Sequence, residues 1–155
     1  MLSARNMLPC WSSVLCLSQS SGRGQFRRNW KSPAGNIYAA IRLPDDEVFR
    51  GSAGSVAIGA LLAEVLQEMN ICVRLKWPND LLQDSISSPH AGSPFEKVCG
   101  ILLEEHNRCI IAGIGINLAS APPPEQIRPQ AAFPAGMLRA RQGMPAPSIR
   151  HASAT

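Results

Sequence analysis

Two apolar runs in the second half of the chain, residues 98–103 and 109–114, are separated by only five polar residues. A connection this short is typical of a β-hairpin, because parallel strands need a longer crossover between them. Apolar runs at residues 14–17 and 37–43 have the length and composition of further strands, and residues 72–75 alternate like a strand. The residues therefore predict several short strands, of which two form an antiparallel pair.

One longer segment, residues 55–69, has the periodicity of a helix. Its apolar residues recur at steps of three and four positions, which places them in one stripe on the helix surface. They are Ile58, Leu61, Leu62, Val65 and Met69. Ser52 or Ser55 is a candidate N-cap, and Asn70 is a candidate stop. We expect this helix to serve packing rather than ligand binding.

Composition limits the class of protein. The 155 residues, 45% of them hydrophobic, suffice for one domain with a core but not for two ordinary ones. No run of 18 or more apolar residues exists, so no membrane partner is expected. The five cysteines include no Cys-x-x-Cys pair. They indicate reduced thiols and a cytoplasmic location, with Cys72, Cys99 and Cys109 as small buried residues.

Positive charge is concentrated near the start of the chain. No Asp or Glu precedes Asp45, whereas six Arg and Lys residues do. Such a zone favours an anionic partner, a phosphate or a nucleic acid, although a solvated basic face is as common an explanation. Within it, residues 22–30 have the sequence Gly-Arg-Gly-Gln-Phe-Arg-Arg-Asn-Trp. Glycines let the backbone approach a ligand, guanidinium groups bind phosphate or carboxylate, and Trp30 offers a flat face for stacking.

Three further motifs carry chemistry, each with an ordinary alternative. Residues 76–80, Lys-Trp-Pro-Asn-Asp, could use Asn79 and Asp80 to hold a hydroxyl or place a metal–phosphate, or be a turn with a buried tryptophan. Lys97 could meet a carboxylate or phosphate as a point charge, although any strand can begin with a lysine. Residues 113–117, Gly-Ile-Gly-Ile-Asn, leave room beside a flat ligand or simply end a glycine-rich strand.

In combination and in this order, the four motifs resemble the catalytic domain of biotin protein ligases. The resemblance runs from about residue 14 to about residue 118, and it includes Gln19, three residues before Gly22. It implies an α/β (α+β) fold: a mixed, mostly antiparallel sheet with helices packed on one face.

The resemblance divides the chain into three parts. Residues 14–118 correspond to a partial catalytic domain, preceded by a remnant segment, residues 1–13, and truncated at both ends relative to the family. The first 20 residues are Ser-rich and free of acids, as in an organelle transit peptide, but a remnant of a helix leading into a strand is the favoured interpretation. Residues 119–155, rich in Pro, Ala and Arg, are expected to be irregular or disordered.

The resemblance also implies an ATP-dependent ligase. Members join biotin to ATP, giving biotinyl-5′-AMP and pyrophosphate, and then pass biotin to one lysine of the biotin carboxyl carrier domain of a biotin-dependent carboxylase. ATP, biotin and Mg²⁺ are the implied substrates and cofactor. Positive charge suits this reaction, because a carboxylate and a triphosphate must be brought together against their repulsion.

Site residues follow from the resemblance position by position. The implied biotin-binding residues are Gln19, Gly22, Arg23, Gln25, Lys97, Gly113 and Gly115. The implied ATP-binding residues are Arg28, Trp30, Asn79 and Asn117. Lys97, Arg28 and Asp80 are the implied catalytic residues, with Asp80 on the ATP–magnesium side. No metal ligand is directly assigned.

Three positions depart from the family pattern. Gln25 and Arg27 stand where many members have Arg and Gly, and Cys99 replaces the first of a usual Gly-Gly pair. The alternative functions are a lipoate–protein ligase, whose fold is related, a non-catalytic remnant of the family, and a basic nucleic-acid-binding module. Motifs 22–30 and 76–80 favour biotin over lipoate. No helix-turn-helix is recognised, so no nucleic-acid partner is expected, and a homodimer stays open.

Overall fold

The computed structural model describes residues 9–85, 93–123, 126 and 133–140. Its strands, in chain order, are β1 (Ser13–Cys16), β2 (Ile37–Leu43), β3 (Arg74–Lys76), β4 (Asp80–Asp84), β5 (Phe95–His106) and β6 (Cys109–Ile116). The helical elements of the described residues are one α-helix, α1 (Gly51–Glu68), and two 3-10 turns, Gln25–Arg27 and Glu47–Phe49.

The strands form one six-stranded sheet in the order β1-β2-β6-β5-β4-β3. Every pair of neighbouring strands in it is antiparallel. Helix α1 packs on one face, where it contacts β3, β4 and β5. The predicted fold class is therefore confirmed, with a single α-helix among the residues that the structure describes.

The predicted hairpin is formed by β5 and β6, but its turn is shorter than expected. Only Asn107 and Arg108 lie in the turn, with φ values of 49° and 60°. Such values belong to the tight two-residue turns whose twist matches antiparallel strands. Residues 104–106, predicted as part of the connection, belong to β5 because their backbone still pairs with residues 109–111.

The start of α1 differs from the prediction, whereas its end agrees with it. The helix begins at Gly51, with Arg50 in the N-cap position and no capping side chain. The expectation of Ser52 or Ser55 as the cap was wrong, since both lie inside the helix. Asn70 adopts a φ of 60° just after the helix, the left-handed conformation that commonly terminates helices, so the predicted stop is confirmed.

The buried face of α1 is rotated away from the predicted apolar stripe. Ile58 is buried as expected and Leu62 packs against the core, but Leu61, Val65 and Met69 are about half exposed. The buried face instead runs through Gly54, Ser55, Ile58, Gly59 and Leu66. Glycine is required at Gly54, where an added Cβ would clash with the backbone of Phe49, whereas at Gly59 a Cβ would push against the end of the Leu75 side chain. Small residues thus let α1 lie close to the sheet.

The core lies between α1 and the sheet, and two of the three cysteines that were expected to be buried are buried. Cys99 and Cys109 are buried, whereas Cys72, in the irregular segment before β3, is exposed, contrary to the prediction. Strand β4 was missed, because its residues were divided between the 76–80 motif and a predicted loop at 83–94. Its two consecutive leucines, Leu81 and Leu82, are both buried, so the strand lacks the apolar–polar alternation that would mark it. Residues 86–92 of that loop lie outside the described residues.

Part of the predicted irregular tail is packed against the sheet. Residues 133–140, here termed the strap, form neither helix nor strand apart from one bridge, between Ala135 and Lys97. Leu138 of the strap is only 8% exposed and belongs to the core cluster. No helix among the described residues has both the length and the apolar character needed to cross a membrane.

Candidate active site

A single row of paired residues crosses all six strands and defines the site. In order from β1 to β3 the row consists of Cys16, Tyr38, Gly115, Gly100, Asp80 and Lys76. Paired residues in neighbouring strands share a face of the sheet. Ile101, next to Gly100, points toward Gly59 of α1, so the row faces away from the helix.

The two glycines at the centre of the row form a floor on which the indole of Trp30 lies. A Cβ added to Gly115 would lie 2.7 Å from Trp30 Nε1, and one added to Gly100 would lie 2.9 Å from its Cζ3. The indole Nε1 is buried and has no hydrogen-bond partner. The predicted space beside a flat group is therefore present at Gly115, where it holds the chain's own tryptophan. Gly113, two residues earlier, borders Leu102 instead.

Beside this floor, Asp80 lies between two lysines. Lys97 Nζ is 2.6 Å from Asp80 Oδ1 and 5.3 Å from the centre of the Trp30 ring. Lys76 Nζ donates a hydrogen bond of 3.2 Å to Asp80 Oδ2. Asp80 Oδ1 is buried and accepts no well-aligned hydrogen bond, so its attraction to Lys97 is that of two opposite charges. The three groups carry a net charge of one positive unit, which suits an incoming anion.

The turn before β4 fixes Asp80 in this position. The Trp77–Pro78 peptide bond is cis, and the Asn79 side chain donates to Ile101 O at 2.8 Å while Asn79 O accepts from Ile101 N–H at 2.9 Å. Asn79 therefore joins the turn to β5 through hydrogen bonds of its side chain and its backbone to Ile101. Trp77 is 69% exposed, so the alternative of an ordinary turn with a buried tryptophan does not describe this segment.

The loop at residues 22–30 closes on itself through its backbone. Gly24 N–H donates to Arg28 O at 2.8 Å, and Trp30 N–H donates to Gly22 O at 2.9 Å. Gly22 is buried, and a Cβ there would lie 2.6 Å from Ser32 Oγ and 2.9 Å from Gln19 Oε1. The Ser32 hydroxyl donates to Gln19 Oε1 at 2.7 Å. The structure thus brings Gln19, Gly22 and Trp30 together at the base of the loop.

The loop's charged side chains lie further out. Arg23 and Arg28 are exposed, and the Arg28 guanidinium lies 5.3 Å from the centre of the Phe26 ring. Gln25 and Phe26 line an open cavity of about 430 Å³ next to the start of α1. The predicted site residues therefore fall into two groups, one around Asp80 and Lys97, and one on the exposed loop.

Asn117, predicted on the adenine side, is 3% exposed and is bonded to the strap. Its side-chain nitrogen donates to Gly136 O at 3.1 Å, and its carbonyl accepts from Leu138 N–H at 2.7 Å. Next to Lys97, burial raises the pKa of the Cys99 thiol to about 12, and the nearby Lys97 charge only partly opposes this shift. Cys99 is therefore a neutral thiol and not a nucleophile at neutral pH.

Sequence reasoning missed three parts of the site: the floor glycine Gly100, the second lysine Lys76, and the strap. Gly100 could have been found, because counting back from a two-residue turn at residues 107–108 pairs it with Gly115. Lys76 opens the 76–80 motif and lies four residues before Asp80, so its place beside that carboxylate had a local signal that was not used. The strap carries no comparable signal, since its position depends on contacts between distant parts of the chain.

Comparisons with known proteins agree with this geometry. The family model described as the biotin/lipoate A/B protein ligase family matches residues 11–119. The chain is 37% identical over 110 residues to the bifunctional ligase/repressor BirA of Escherichia coli (strain K12), which covers 65% of this chain and 31% of that protein. It is 30% identical over 136 residues to the biotin–[acetyl-CoA-carboxylase] ligase of Paracoccus denitrificans, which covers 78% of this chain and 50% of that protein. The chain thus spans half the length of these curated relatives or less.

Solved structures give the same result. The biotin protein ligase of Aquifex aeolicus in complex with biotin and ATP superposes with a TM-score of 0.62 at 25% identity, over 84% of this chain and 50% of that one. The biotin protein ligase of Leishmania major in complex with biotinyl-5-AMP has a TM-score of 0.62 at 25% identity, over 83% of this chain and 53% of that one.

Proposed function

The chain belongs to the biotin/lipoate A/B protein ligase family, and from this membership we propose that it is an ATP-dependent biotin ligase. It forms biotinyl-5′-AMP and transfers biotin to a lysine of a biotin carboxyl carrier domain. The observation that carries this proposal is the Lys97–Asp80–Lys76 group beside a glycine floor covered by Trp30. Structural relatives with similar folds were determined with biotin and ATP, or with biotinyl-5-AMP.

The proposed reaction has two steps. In the first, a carboxylate oxygen of biotin attacks the α-phosphorus of ATP, a new C–O–P bond forms, and pyrophosphate leaves. In the second, the lysine amine of the carrier attacks the acyl carbon, AMP leaves, and an amide results. Both steps concentrate negative charge on phosphate oxygens, which a cation fixed in place stabilises better than water does.

Lys97 is the residue that we assign to this charge. Its side chain is 28% exposed, and its ammonium lies 2.6 Å from Asp80 and 5.3 Å from the centre of the Trp30 ring. An arriving carboxylate or phosphate can share the ammonium with Asp80, while Lys76 stays on the other oxygen of Asp80. Asp80 then acts as a positioning residue that keeps Lys97 aimed at the reacting atoms.

We assign the remaining residues to different parts of the two substrates, biotin and ATP. We assign the biotin end to the base of the loop, at Gln19, Gly22 and Arg23, and the phosphates to Arg28, whose exposed guanidinium can bind them bidentately. We assign the adenine of ATP to stacking on the Trp30 indole, which itself occupies the floor. Asn79 and Asn117 act through the backbone that they hold, because their side-chain nitrogens already donate to carbonyls of the protein.

Magnesium is best regarded as part of the MgATP substrate. Among the described residues no group of three or more His, Cys, Asp and Glu side chains could hold a metal. Both carboxylate oxygens of Asp80 face ammonium groups. These residues do not fit a magnesium ion held by the protein, so no step is assigned to one.

The direct test is pyrophosphate release by the full chain with MgATP and either biotin or lipoate. Biotin-dependent release, followed by transfer of biotin to a purified carrier domain, is the expected result. Lipoate-dependent release instead would establish the lipoate alternative. If neither acid supports pyrophosphate release, the chain is a non-catalytic member of the family.

A further inference from the structure

The strap supplies hydrogen bonds to the part of β5 that β6 does not reach. Strand β5 pairs with β6 only from Cys99 onward, because β6 ends at Ile116. Lys97 lies two residues before Cys99 and so has no partner in β6. Its N–H donates to Pro134 O at 2.7 Å, and its carbonyl accepts from Gly136 N–H at 2.9 Å. The strap therefore extends the sheet at Lys97, where it pairs with β5 in parallel orientation.

Three separate contacts hold the strap in place. Leu138 is buried in the core, and Asn117 binds the backbone at Gly136 and Leu138. The Gln83 side chain exchanges two hydrogen bonds with the backbone of Arg139, at 2.7 and 2.9 Å. Both Gln83 and Asn117 satisfy strap backbone groups that a strand would otherwise pair, so the strap's position is well determined.

An ion pair fastens the strap next to Lys97. The Arg139 guanidinium lies 3.1 Å from Glu96 Oε2 and donates to Asp84 O at 3.2 Å. Glu96 is 5% exposed and immediately precedes Lys97. Removing the arginine would delete the ion pair between Arg139 and this buried carboxylate, and with it a direct link between the strap and β5. A Cβ at Gly136 would clash with the same carboxylate, so this position accepts only glycine.

We propose that the strap is a positioning element of the adenylation site, and that Arg139 is a positioning residue that holds the Lys97 ammonium at Asp80. The inference rests on the role of Lys97 in the proposed function. Its physical basis is that the strap pairs with the Lys97 backbone itself, so a shift of the strap moves the ammonium. A misplacement of about 1 Å can lower a rate by about a hundredfold.

The test compares Arg139→Gln with Arg139→Lys and with Arg74→Gln, which breaks an exposed ion pair at the outer end of β4. We expect Arg139→Gln to lower kcat for biotinyl-AMP formation by at least about tenfold with KM for biotin and ATP nearly unchanged. Arg139→Lys should recover part of the loss, and Arg74→Gln should match the unmodified protein. Thermal unfolding of each variant checks that the fold persists.

A second measurement does not depend on catalysis. Acetic anhydride modifies free amines, and mass spectrometry reports the extent at each lysine. Arg139→Gln should raise the modification of Lys97 severalfold relative to Lys31, which serves as the internal reference. If the protein with its original sequence releases no pyrophosphate, but the Lys97-to-Lys31 modification ratio rises in Arg139→Gln, the proposed function fails and the positioning role stands. If both the ratio and kcat stay as in the unmodified protein, the positioning role is wrong.

Discussion

The loop at residues 22–30 and the turn at residues 76–80 are both polar, but their side chains differ in burial and in hydrogen bonding. In the turn, Asp80 and Asn79 are buried, and each contacts a residue of β5, Lys97 and Ile101 respectively. In the loop, Arg23 and Arg28 are exposed, and the loop is closed by backbone hydrogen bonds instead. A buried charge with fixed partners is preorganised, whereas an exposed arginine must lose conformational freedom when it binds. On the proposed function, we therefore expect the turn to serve the chemical step and the loop to serve binding.

The strongest test of this division removes the cation beside the turn. Lys97→Ala should lower kcat for adenylation by about a thousandfold, because the developing phosphate charge loses its fixed counter-ion. Lys97→Arg, which keeps the charge but changes its shape, should lose less. Pyrophosphate release under saturating substrates measures the effect. Adenylation at the normal rate in Lys97→Ala would remove Lys97 from the mechanism.

The next test removes the anion that aims this cation. Asp80→Asn should lower kcat by about a hundredfold, because Lys97 and Lys76 then repel each other across a neutral amide. Asp84→Asn, at the exposed end of the same strand, is the control and should be without effect. If Asp80→Asn instead raised KM and left kcat unchanged, the turn would serve binding and the contrast with the loop would fail.

The loop should respond in the opposite manner. Arg28→Ala should raise KM for ATP by about tenfold, the loss of roughly one charged hydrogen bond, and leave kcat nearly unchanged. Arg27→Ala removes an equally exposed neighbouring arginine and should leave both parameters unchanged. Steady-state kinetics over a range of ATP concentrations separates KM from kcat. A fall in kcat without a change in KM would contradict the division.

The smallest effect is expected where the two regions meet, at the glycine floor. Gly115→Ala places a methyl group against the Trp30 indole, whereas Gly113→Ala, two residues earlier in β6, does not. We expect KM for biotin to rise about fivefold in the first variant, equivalent to about 1 kcal/mol of crowding, and to stay unchanged in the second.

Fluorescence provides an independent measure of the same contact. In a background with Trp11→Phe and Trp77→Phe, the emission comes from Trp30 alone. Gly115→Ala should shift this emission to longer wavelength as the indole is lifted toward water. Equal spectra for the Gly113 and Gly115 variants would mean that the indole does not rest on the floor in solution.

Local patterns predicted the elements whose signals are local. The β5–β6 hairpin and the helix stop at Asn70 follow from short-range composition and turn chemistry. The prediction was wrong where packing overrides periodicity. Helix α1 packs on the sheet through the face that contains Gly54 and Gly59. The lack of side chains at these glycines lets the helix lie closer to the sheet than the larger residues of the predicted stripe would. Strand β4 was missed because its two consecutive leucines are both buried and show no alternation.

The sequence by itself determined the family resemblance, the antiparallel hairpin and the identity of the charged motifs, since these depend on residue types at short spacing. Only the tertiary structure decided that Tyr38, Gly115, Gly100 and Asp80 share one row across the sheet. Only it placed Lys97 between Asp80 and the strap. Contacts of this kind join segments tens of residues apart, and their register depends on the packing of the whole core rather than on any local pattern.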